Sequence, residues 1–375
     1  MAGIYLHIPY CKEACTYCDF HFSVQMKDKS IMVGALIEEL KQRKHRLKDS
    51  EVETIYFGGG TPSLLKISEL QNIIEVIHKE YTISANPEIT LEANPDDLIK
   101  TYTQDLNDIG INRLSIGIQS WDDADLIKLN RGHSAVQAEE AINNALEAGI
   151  HNLSIDLIYG LPEMTVRKWK ENLLKTFSFN ISHISAYHLT YEEGTVLDYL
   201  RKKKKLEPVA EEESEEEFHI LLQETERHGF KQYELSNFSK KGYESRHNSS
   251  YWRRTNYLGI GPSAHSFLGK TRSWNISNNK KYVEGILSGG NISEYEELSI
   301  NDEFNEYIMT SFRLRKGIDL IQILENFGKE KSEYFTQNIK SYIEEGLAEY
   351  YEGGIRLTVK GMFLSDRIIS DMMII

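Results

Sequence analysis

Residues 5–20 read YLHIPYCKEACTYCDF and contain every cysteine of the 375-residue chain, namely Cys11, Cys15 and Cys18. The spacing C-x3-C-x2-C follows an apolar run typical of a β-strand, so three thiolates can converge on three corners of one [4Fe-4S] cubane. A fourth cysteine normally completes such a cluster, and the chain has none to offer. The fourth iron would therefore stay open, and the amino and carboxylate groups of S-adenosylmethionine (SAM) can chelate it.

Two other roles for these thiols stay open at the level of sequence. A structural zinc site would combine the three cysteines with His7 or His21, although such sites usually take ligand pairs from two separated elements. A catalytic thiol or a redox pair is a weaker alternative, because neither needs three cysteines at this spacing. A disulfide framework is excluded, since no cysteine lies outside the motif.

Short apolar runs alternate with helical patterns through the first half of the chain. The strand-like runs are GIYLHIP, ETIYFGGG, EITLEANP, RLSIGIQS, NLSIDLIYGLP and HISAYHLT. Apolar residues at helical spacing follow the first two runs, at Val33, Leu36, Ile37 and Leu40 and at Leu70, Ile73, Ile74 and Ile77. This alternation predicts an α/β fold with parallel strands and right-handed crossovers, namely a partial (β/α)6 barrel that is shorter than an eight-fold barrel.

Polar and glycine residues stand where the predicted strands end. They are Gly58, Gly59, Gly60 and Thr61 for the second strand, Glu92 and Asn94 for the third, Gln119 for the fourth, Asp156 and Gly160 for the fifth, and His188 for the sixth. The ends of parallel strands form one face of a barrel, and ligand sites are built there. Any one of these residues could instead be a strand-end cap or a turn former. Their register over five consecutive strand ends favours a ligand-binding rim.

Composition and charge narrow the classes of partner. The formal net charge is -14 and the pI is near 5.4, so phosphates of nucleic acids and anionic lipids would on average be repelled. The start MAGIYLHIPY lacks the basic stretch and long apolar run of a secretion signal, and no window approaches the roughly 18 apolar residues of a membrane span. We therefore expect a cytoplasmic protein that does not bind nucleic acid.

Three regions are expected along the chain. Residues 1–230 form the barrel core, and residues 231–300, rich in Ser, Asn, Gly and Tyr, are expected to be irregular and loop-rich. Residues 301–375 combine helical stretches with the hairpin-like LAEYYEGGIRLT, which predicts a smaller α+β, winged-helix-like module. This module carries nine basic and thirteen acidic residues, so packing against the core is favoured over binding to DNA.

The cysteine spacing, with the aromatic Tyr17 directly before the third cysteine, resembles the signature of the radical SAM superfamily. Over nearly the whole chain, the blocks YLHIPYCKEACTYCDF, FGGGTPS, LEANP, GIQS, LNRGH, DLIYGLP and HNSSYW resemble the HemN/HemW family. That family unites oxygen-independent coproporphyrinogen dehydrogenases with haem chaperones. The resemblance implies that one electron from the cluster cleaves SAM to methionine and a 5′-deoxyadenosyl radical, while the protein supplies position, electrostatics and exclusion of water.

The resemblance also implies a set of cofactor-binding residues. Those expected to contact one SAM molecule are Tyr5, Gly59 and Glu92. Those expected near a second SAM molecule in the dehydrogenase branch are Tyr17, Gly60, Thr61, Gln119, Arg131 and Asp156. Glu92 can accept hydrogen bonds from an ammonium group or ribose hydroxyls, and Arg131 can pair with a carboxylate.

Two departures separate this sequence from the dehydrogenase branch. That branch resembles C-x3-C-x2-C-x-C, and Phe20 stands here in place of the extra cysteine. The dehydrogenases also carry a long arm before the cluster, whereas ten residues precede Cys11. CDF and HNSSYW match the chaperone branch, so the resemblance implies a haem chaperone, with coproporphyrinogen dehydrogenation by radical chemistry as the alternative.

The chaperone branch implies a haem site within HNSSYW. His247 is its candidate iron ligand through a neutral imidazole, accompanied by Asn248, and Tyr251 and Trp252 would offer aromatic surface to the porphyrin. Taken alone, a histidine beside Asn and aromatic residues is more often an ordinary hydrogen-bonded side chain. The expected partners are haem and acceptor haemoproteins, including respiratory, membrane-associated ones, and a second copy of the chain is a further candidate.

Overall fold

A computed structural model describes residues 1–374 as a main sheet of twelve strands covered by helices, with a second sheet of three strands near the carboxyl terminus. Six neighbouring strands are parallel and follow sequence order: β1 (Ala2–Ile8), β2 (Val52–Gly59), β3 (Ile83–Ala93), β4 (Arg113–Gln119), β5 (Asn152–Tyr159) and β6 (His183–His188). They coincide with the six apolar runs of the sequence. The predicted α/β fold and its parallel strand order are confirmed.

Helices connect these strands and cover their apolar side. Their bounds are α1 (Lys29–Arg43), α2 (Ile67–Glu80), α3 (Lys100–Asp108), α4 (Asp123–Lys128), α5 (Ala135–Glu147), α6 (Val166–Phe177), α7 (Val196–Lys202) and α8 (Glu211–Arg227). Side-chain caps fix several helix starts: Ser134 accepts a hydrogen bond from the Gln137 backbone N–H, and Thr165 accepts one from that of Lys168. Among residues 1–374, no helix is both long and apolar enough to cross a bilayer.

Alternation along the strands gives the barrel a polar interior. On β1, Ile4, Leu6 and Ile8 are buried in the apolar core under the helices. Tyr5 and His7 point to the opposite side, where the Tyr5 hydroxyl lies 3.2 Å from His7 Nδ1. Because side chains alternate at every residue of a strand, the same rule places polar residues of the neighbouring strands inside.

The segment 231–300 differs from the expected irregular loops. Its elements are β7 (Lys231–Glu234), β8 (Asn237–Ser239), α9 (Arg246–Trp252), β9 (Tyr257–Ile260), β10 (His265–Leu268), β11 (Thr271–Asn275), α10 (Asn279–Ser288) and β12 (Ser293–Glu297). β8 pairs with β6, and β9 pairs in parallel with β1, so the segment extends the main sheet at both sides. The loop-rich expectation was wrong because strands this short carry too little periodicity to be recognised without their sheet partners. The boundaries at 230 and 300 stay predictions.

The carboxyl-terminal part contains a second apolar core. Its elements are α11 (Ile300–Arg313), β13 (Ile318–Asp319), α12 (Leu320–Glu344), β14 (Ala348–Tyr351), β15 (Gly354–Leu357), α13 (Val359–Phe363) and α14 (Ser365–Met372). α12 breaks at Gly328 into two of the predicted helical stretches, and β14 and β15 form the predicted hairpin. Contacts to the barrel side include Arg313 Nη2 at 3.4 Å from the Glu234 carboxylate and Arg254 Nη2 at 3.4 Å from that of Glu306. The α+β module therefore packs against the core as expected.

Candidate metal and cofactor site

The three cysteines lie on the loop that leaves β1 at the carboxyl edge of the parallel strands. All three are partly exposed. The loop is fixed by backbone hydrogen bonds, since Cys11 N–H donates to Ser23 O at 3.1 Å and Cys18 N–H donates to Cys15 O at 3.3 Å. The sequence motif thus becomes a set of accessible thiols on an ordered loop.

Side chains from two other parts of the barrel reach the sulfur atoms. The Thr61 hydroxyl donates to Cys11 Sγ at 3.3 Å, and Arg131 Nη1 donates to Cys15 Sγ at 3.4 Å. Burial raises the pKa of Cys11, which the hydroxyl of Thr61 opposes, and burial also raises the pKa of Cys18 to about 11. Donors aimed at sulfur stabilise thiolates, which are the form that binds a metal.

The zinc alternative is not favoured by the positions of its two histidines. His7 Nε2 lies 2.8 Å from the backbone oxygen of His21, and His21 Nε2 lies 2.7 Å from Asn279 Oδ1. Within the described residues 1–374, no group of three or more His, Cys, Asp or Glu side chains is arranged to hold a metal ion.

The glycines at the end of β2 pack closely against β1 and the start of the cysteine loop. Gly59 has φ +103°, a conformation that favours glycine, and a Cβ there would lie 2.5 Å from the His7 ring. A Cβ on Gly60 would lie 2.6 Å from the backbone oxygen of Tyr10. The Gly60 N–H donates to Ile8 O at 2.9 Å, which joins the β2 end to the start of the cysteine loop. A larger residue at either position would collide with His7 or with the Tyr10 backbone and would displace the start of the cysteine loop.

Glu92 stands at the centre of this edge. Its Oε1 accepts a hydrogen bond from the Tyr56 hydroxyl at 2.7 Å, and its Oε2 accepts one from the Gly59 N–H at 3.2 Å. Burial raises the pKa of Glu92 to about 7, with hydrogen bonds opposing this and Asp156 adding to it. Glu92 therefore changes charge near neutral pH, and its ionised form can accept hydrogen bonds from an ammonium group or hydroxyls.

Arg131 reaches the same edge from the segment after β4. Its Nη2 donates to Asn94 Oδ1 and to the Gly117 carbonyl, each at 2.7 Å, while its Nε is buried without a partner. Tyr17, whose pKa is raised by burial, lies within electrostatic range of Arg131 and Cys15. The geometry brings Tyr17, Thr61 and Arg131 together around the thiols, and their expected contact with a second SAM molecule stays a prediction.

The remaining rim residues complete the edge. Gln119 has φ +68° beside a register shift between Gly117 and Gln119, which turns the end of β4. Asp156 accepts hydrogen bonds from the Ser115 hydroxyl at 2.9 Å and the Ser154 hydroxyl at 3.1 Å. Burial raises the pKa of Asp156, and the serine hydroxyls oppose this. Gln119 ends β4, which neighbours the strand that carries Glu92, and Asp156 lies on β5, the next strand of the sheet.

One part of the edge escaped sequence reasoning. β9 runs parallel to β1, so the turn GIGPSAHS at residues 259–266 reaches the carboxyl edge. Gly261 has φ +106°, and a Cβ there would lie 2.5 Å from the His7 carbonyl oxygen. Its N–H donates to the buried Glu39 carboxylate at 2.7 Å. The sequence signal for this turn is a glycine directly after a short apolar run, which is the pattern that also marks the end of β2.

The HNSSYW residues lie at the other end of the barrel. His247 is 1% exposed in α9, and a Cβ on Gly3 at the start of β1 would be 3.2 Å from its ring. Asn248, Tyr251 and Trp252 are half-buried on the same helix. The Trp252 ring lies under the Arg313 guanidinium at 4.7 Å. The structure brings the four haem-site candidates together with one another and apart from the cysteines.

Both ring nitrogens of His247 are engaged. Nδ1 lies 2.7 Å from the Thr54 hydroxyl, and Nε2 lies 2.9 Å from the Tyr251 hydroxyl. The Tyr56 ring stacks on the imidazole with centroids 4.9 Å apart. Burial lowers the pKa of His247 to about 3, and Arg113 adds to this effect, so the imidazole is neutral. A neutral imidazole is the form that binds iron, but a ligand must first displace Tyr251.

Two sequence families match separate parts of the chain. Residues 5–175 match the radical SAM superfamily, and residues 298–364 match the HemN C-terminal domain. A Bacillus subtilis protein named haem chaperone HemW is 32% identical over 371 residues, which cover 98% of each chain. A Buchnera aphidicola protein of that name is 34% identical over 92% of this chain and 91% of its own.

A solved structure shares the whole architecture. The coproporphyrinogen III oxidase HemN from Escherichia coli, a radical SAM enzyme, superposes with a TM-score of 0.85 at 22% sequence identity. The match covers 99% of this chain and 89% of that enzyme. At this level of identity the likeness shows the fold alone.

Proposed function

Since this chain belongs to the HemN/HemW family of the radical SAM superfamily, we propose that it is a haem chaperone that retains a [4Fe-4S] cluster and a SAM site. Cys11, Cys15 and Cys18 would hold the cluster, and Glu92 and Gly59 would hold SAM. When bound, these groups supply one-electron reductive chemistry. The residues of the chain would bind and orient them.

The similarity to haem chaperones over nearly the full length carries this proposal. Two features of the chain agree with it. His247 is neutral and therefore suited to iron, and Phe20, which stands in place of a fourth cysteine, has 66% of its surface exposed beside the cysteine loop. The proposal assigns haem to the end of the barrel that carries α9 and the cluster to the opposite end.

A haem titration tests the assignment of His247. The purified protein should bind haem with a Soret band typical of histidine ligation, and His247→Ala should lose that band. His78→Ala is the matched control, because His78 is exposed on α2 and far from HNSSYW. An unchanged spectrum and stoichiometry in His247→Ala would remove His247 as the ligand.

Delivery to acceptors needs its own measurement. We propose that haem passes to acceptor haemoproteins, among them respiratory proteins at the membrane, and that a second copy of the chain can take part. Haem-loaded protein mixed with an apo-haemoprotein should transfer haem faster than the same concentration of free haem supplies it. Equal rates of haem transfer from the protein and from free haem would contradict a chaperone role. Size-exclusion chromatography of the haem-loaded protein would reveal a dimer.

Coproporphyrinogen dehydrogenation is the second candidate. The shared architecture with HemN favours it, and it would use the same Cys11, Cys15 and Cys18 as the chaperone proposal. An anaerobic assay with reductant, SAM and coproporphyrinogen would decide between the two functions. Sustained formation of protoporphyrinogen would replace the chaperone proposal, whereas haem transfer without turnover would support it.

A further inference from the structure

The middle of the barrel holds a buried guanidinium with two unpartnered nitrogen atoms. Arg113, the first residue of β4, is 1% exposed, and neither its Nε nor its Nη1 has a hydrogen-bond partner within residues 1–374. Thr90 is its register partner on β3, and the Thr90 hydroxyl is also buried and unpartnered. Two neighbouring strands thus present three unsatisfied polar atoms in the same layer.

This layer lies between the two candidate sites. Tyr56 pairs in register with Thr90 and with Tyr5, so these residues share the level of Arg113. The Tyr56 hydroxyl points to Glu92 at the carboxyl edge, while its ring stacks on His247 at the amino end. A molecule bound at His247 would therefore have this polar layer as its neighbour inside the barrel.

The carboxylates of the interior are already occupied by other donors. Glu92 accepts from Tyr56 and Gly59, and Asp156 accepts from serine hydroxyls. Arg113 acts on both only at a distance, as one of the charges that lower their pKa values. A buried guanidinium without a close partner is costly, and its planar fork of N–H donors matches a carboxylate in two parallel hydrogen bonds.

We propose that Arg113, assisted by the Thr90 hydroxyl, binds a carboxylate of the bound ligand, namely a propionate of the haem whose iron is held at His247. This inference rests on the proposed haem function and deepens it. The ligand enters from the amino end as α9 moves aside. Nε and Nη1 of Arg113 then gain the hydrogen-bond partner that they lack within residues 1–374, and the propionate fixes the orientation of the porphyrin.

Comparing haem with its dimethyl ester tests the proposal, because the ester keeps the iron and the ring and loses both negative charges. In the same detergent, the wild type should bind haem at least about tenfold more tightly than the ester, as a charge-assisted pair requires. Arg113→Gln should bring this ratio close to one, and Arg113→Lys should give an intermediate ratio. Arg356→Gln, which removes one charge from the carboxyl-terminal hairpin, should keep the wild-type ratio.

The outcomes separate this inference from the function on which it rests. Equal affinity of the wild type for haem and ester would overturn the role of Arg113, as would a full preference kept by Arg113→Gln. If Arg113→Gln fails to fold, Thr90→Val and the wild-type comparison decide, since the valine variant should lose about threefold of the preference. Binding of neither porphyrin would refute the haem function itself.

A second arm identifies the source of the carboxylate, because SAM also carries one. SAM affinity of the cluster-loaded protein is measured in the wild type and in Arg113→Gln. Unchanged SAM affinity together with a lost ester preference supports the propionate. A large loss of SAM affinity with the ester preference intact would reassign Arg113 to the methionyl carboxylate and overturn the proposal.

Discussion

At the carboxyl end of the barrel, the candidate metal ligands stand partly exposed on one loop, whereas at the amino end His247 lies buried beneath its own helix. The carboxyl end has glycines at the end of β2 and side-chain donors aimed at sulfur. At the amino end every polar atom of the imidazole is engaged. The thiols are accessible as they stand, whereas the imidazole of His247 can be reached only if α9 moves.

The attachment of α9 explains why the amino end is closed. Glu88 on β3 accepts hydrogen bonds from the backbone N–H groups of His247 and Arg246, at 3.0 and 3.1 Å. Thr54 and Tyr251 hold the ring of His247, and α11 packs on the outer side of the helix. A chaperone must both hold and release its ligand, so a closed site that opens suits transfer better than a permanently open one.

Removing the thiols should have the largest effect, and that effect should be confined to the carboxyl end of the barrel. Replacing Cys11, Cys15 and Cys18 together by Ala should abolish bound iron and labile sulfide after anaerobic reconstitution, because no other cysteine exists. Haem binding at the amino end should persist. His21→Ala is the control and should keep both iron and sulfide. Iron retained by the triple variant, or lost with His21→Ala, would contradict the cluster assignment.

The carboxyl end could be predicted from sequence because its information is local. The three candidate ligands lie within eight residues, and the glycines at the end of β2 mark its close approach to the cysteine loop. Six apolar runs sufficed for the parallel strands. At the amino end, the residues in contact come from four distant segments, namely Gly3, Thr54, Glu88 and His247. No short sequence pattern predicts that these segments contact one another. Arg113 was missed for the same reason, since only the sheet register reveals its missing partner.

The next effect in size concerns the charge of Glu92. Its raised pKa of about 7 means that the ionised form, which would accept hydrogen bonds from SAM, is depleted as pH falls through 7. SAM affinity of the cluster-loaded protein should therefore drop by about tenfold per pH unit well below 7 and level off above 8. Glu92→Gln should bind weakly with no step in this range. Isothermal titration between pH 6 and 8 would reveal a flat wild-type profile if Glu92 does not contact SAM.

A smaller effect should follow when the attachment of α9 to β3 is weakened. Glu88→Gln loses the charge and one of the two acceptors for the α9 backbone, so the free energy of unfolding should fall by about 1–3 kcal/mol. Glu53→Gln is the matched control, because Glu53 contacts Arg246 at 3.3 Å near the surface and should cost less than about 1 kcal/mol. Urea unfolding gives both values. Equal losses in the two variants would show that Glu88 is not the main attachment of α9.

The smallest expected effect is a gain in haem affinity. It tests whether the Tyr251 hydroxyl, which is bonded to His247 Nε2, closes the amino end. Tyr251→Phe removes the hydroxyl from His247 Nε2 and keeps the ring that packs edge-on against the imidazole, with centroids 5.1 Å apart. Iron would then displace no hydrogen bond, so haem affinity should rise by about threefold to tenfold. Tyr102→Phe, which removes a hydroxyl bonded to Leu65 O far from α9, should leave it unchanged. A loss of affinity in Tyr251→Phe would instead mean that the hydroxyl contacts the bound porphyrin, and the closed imidazole would then be part of the binding surface rather than its cover.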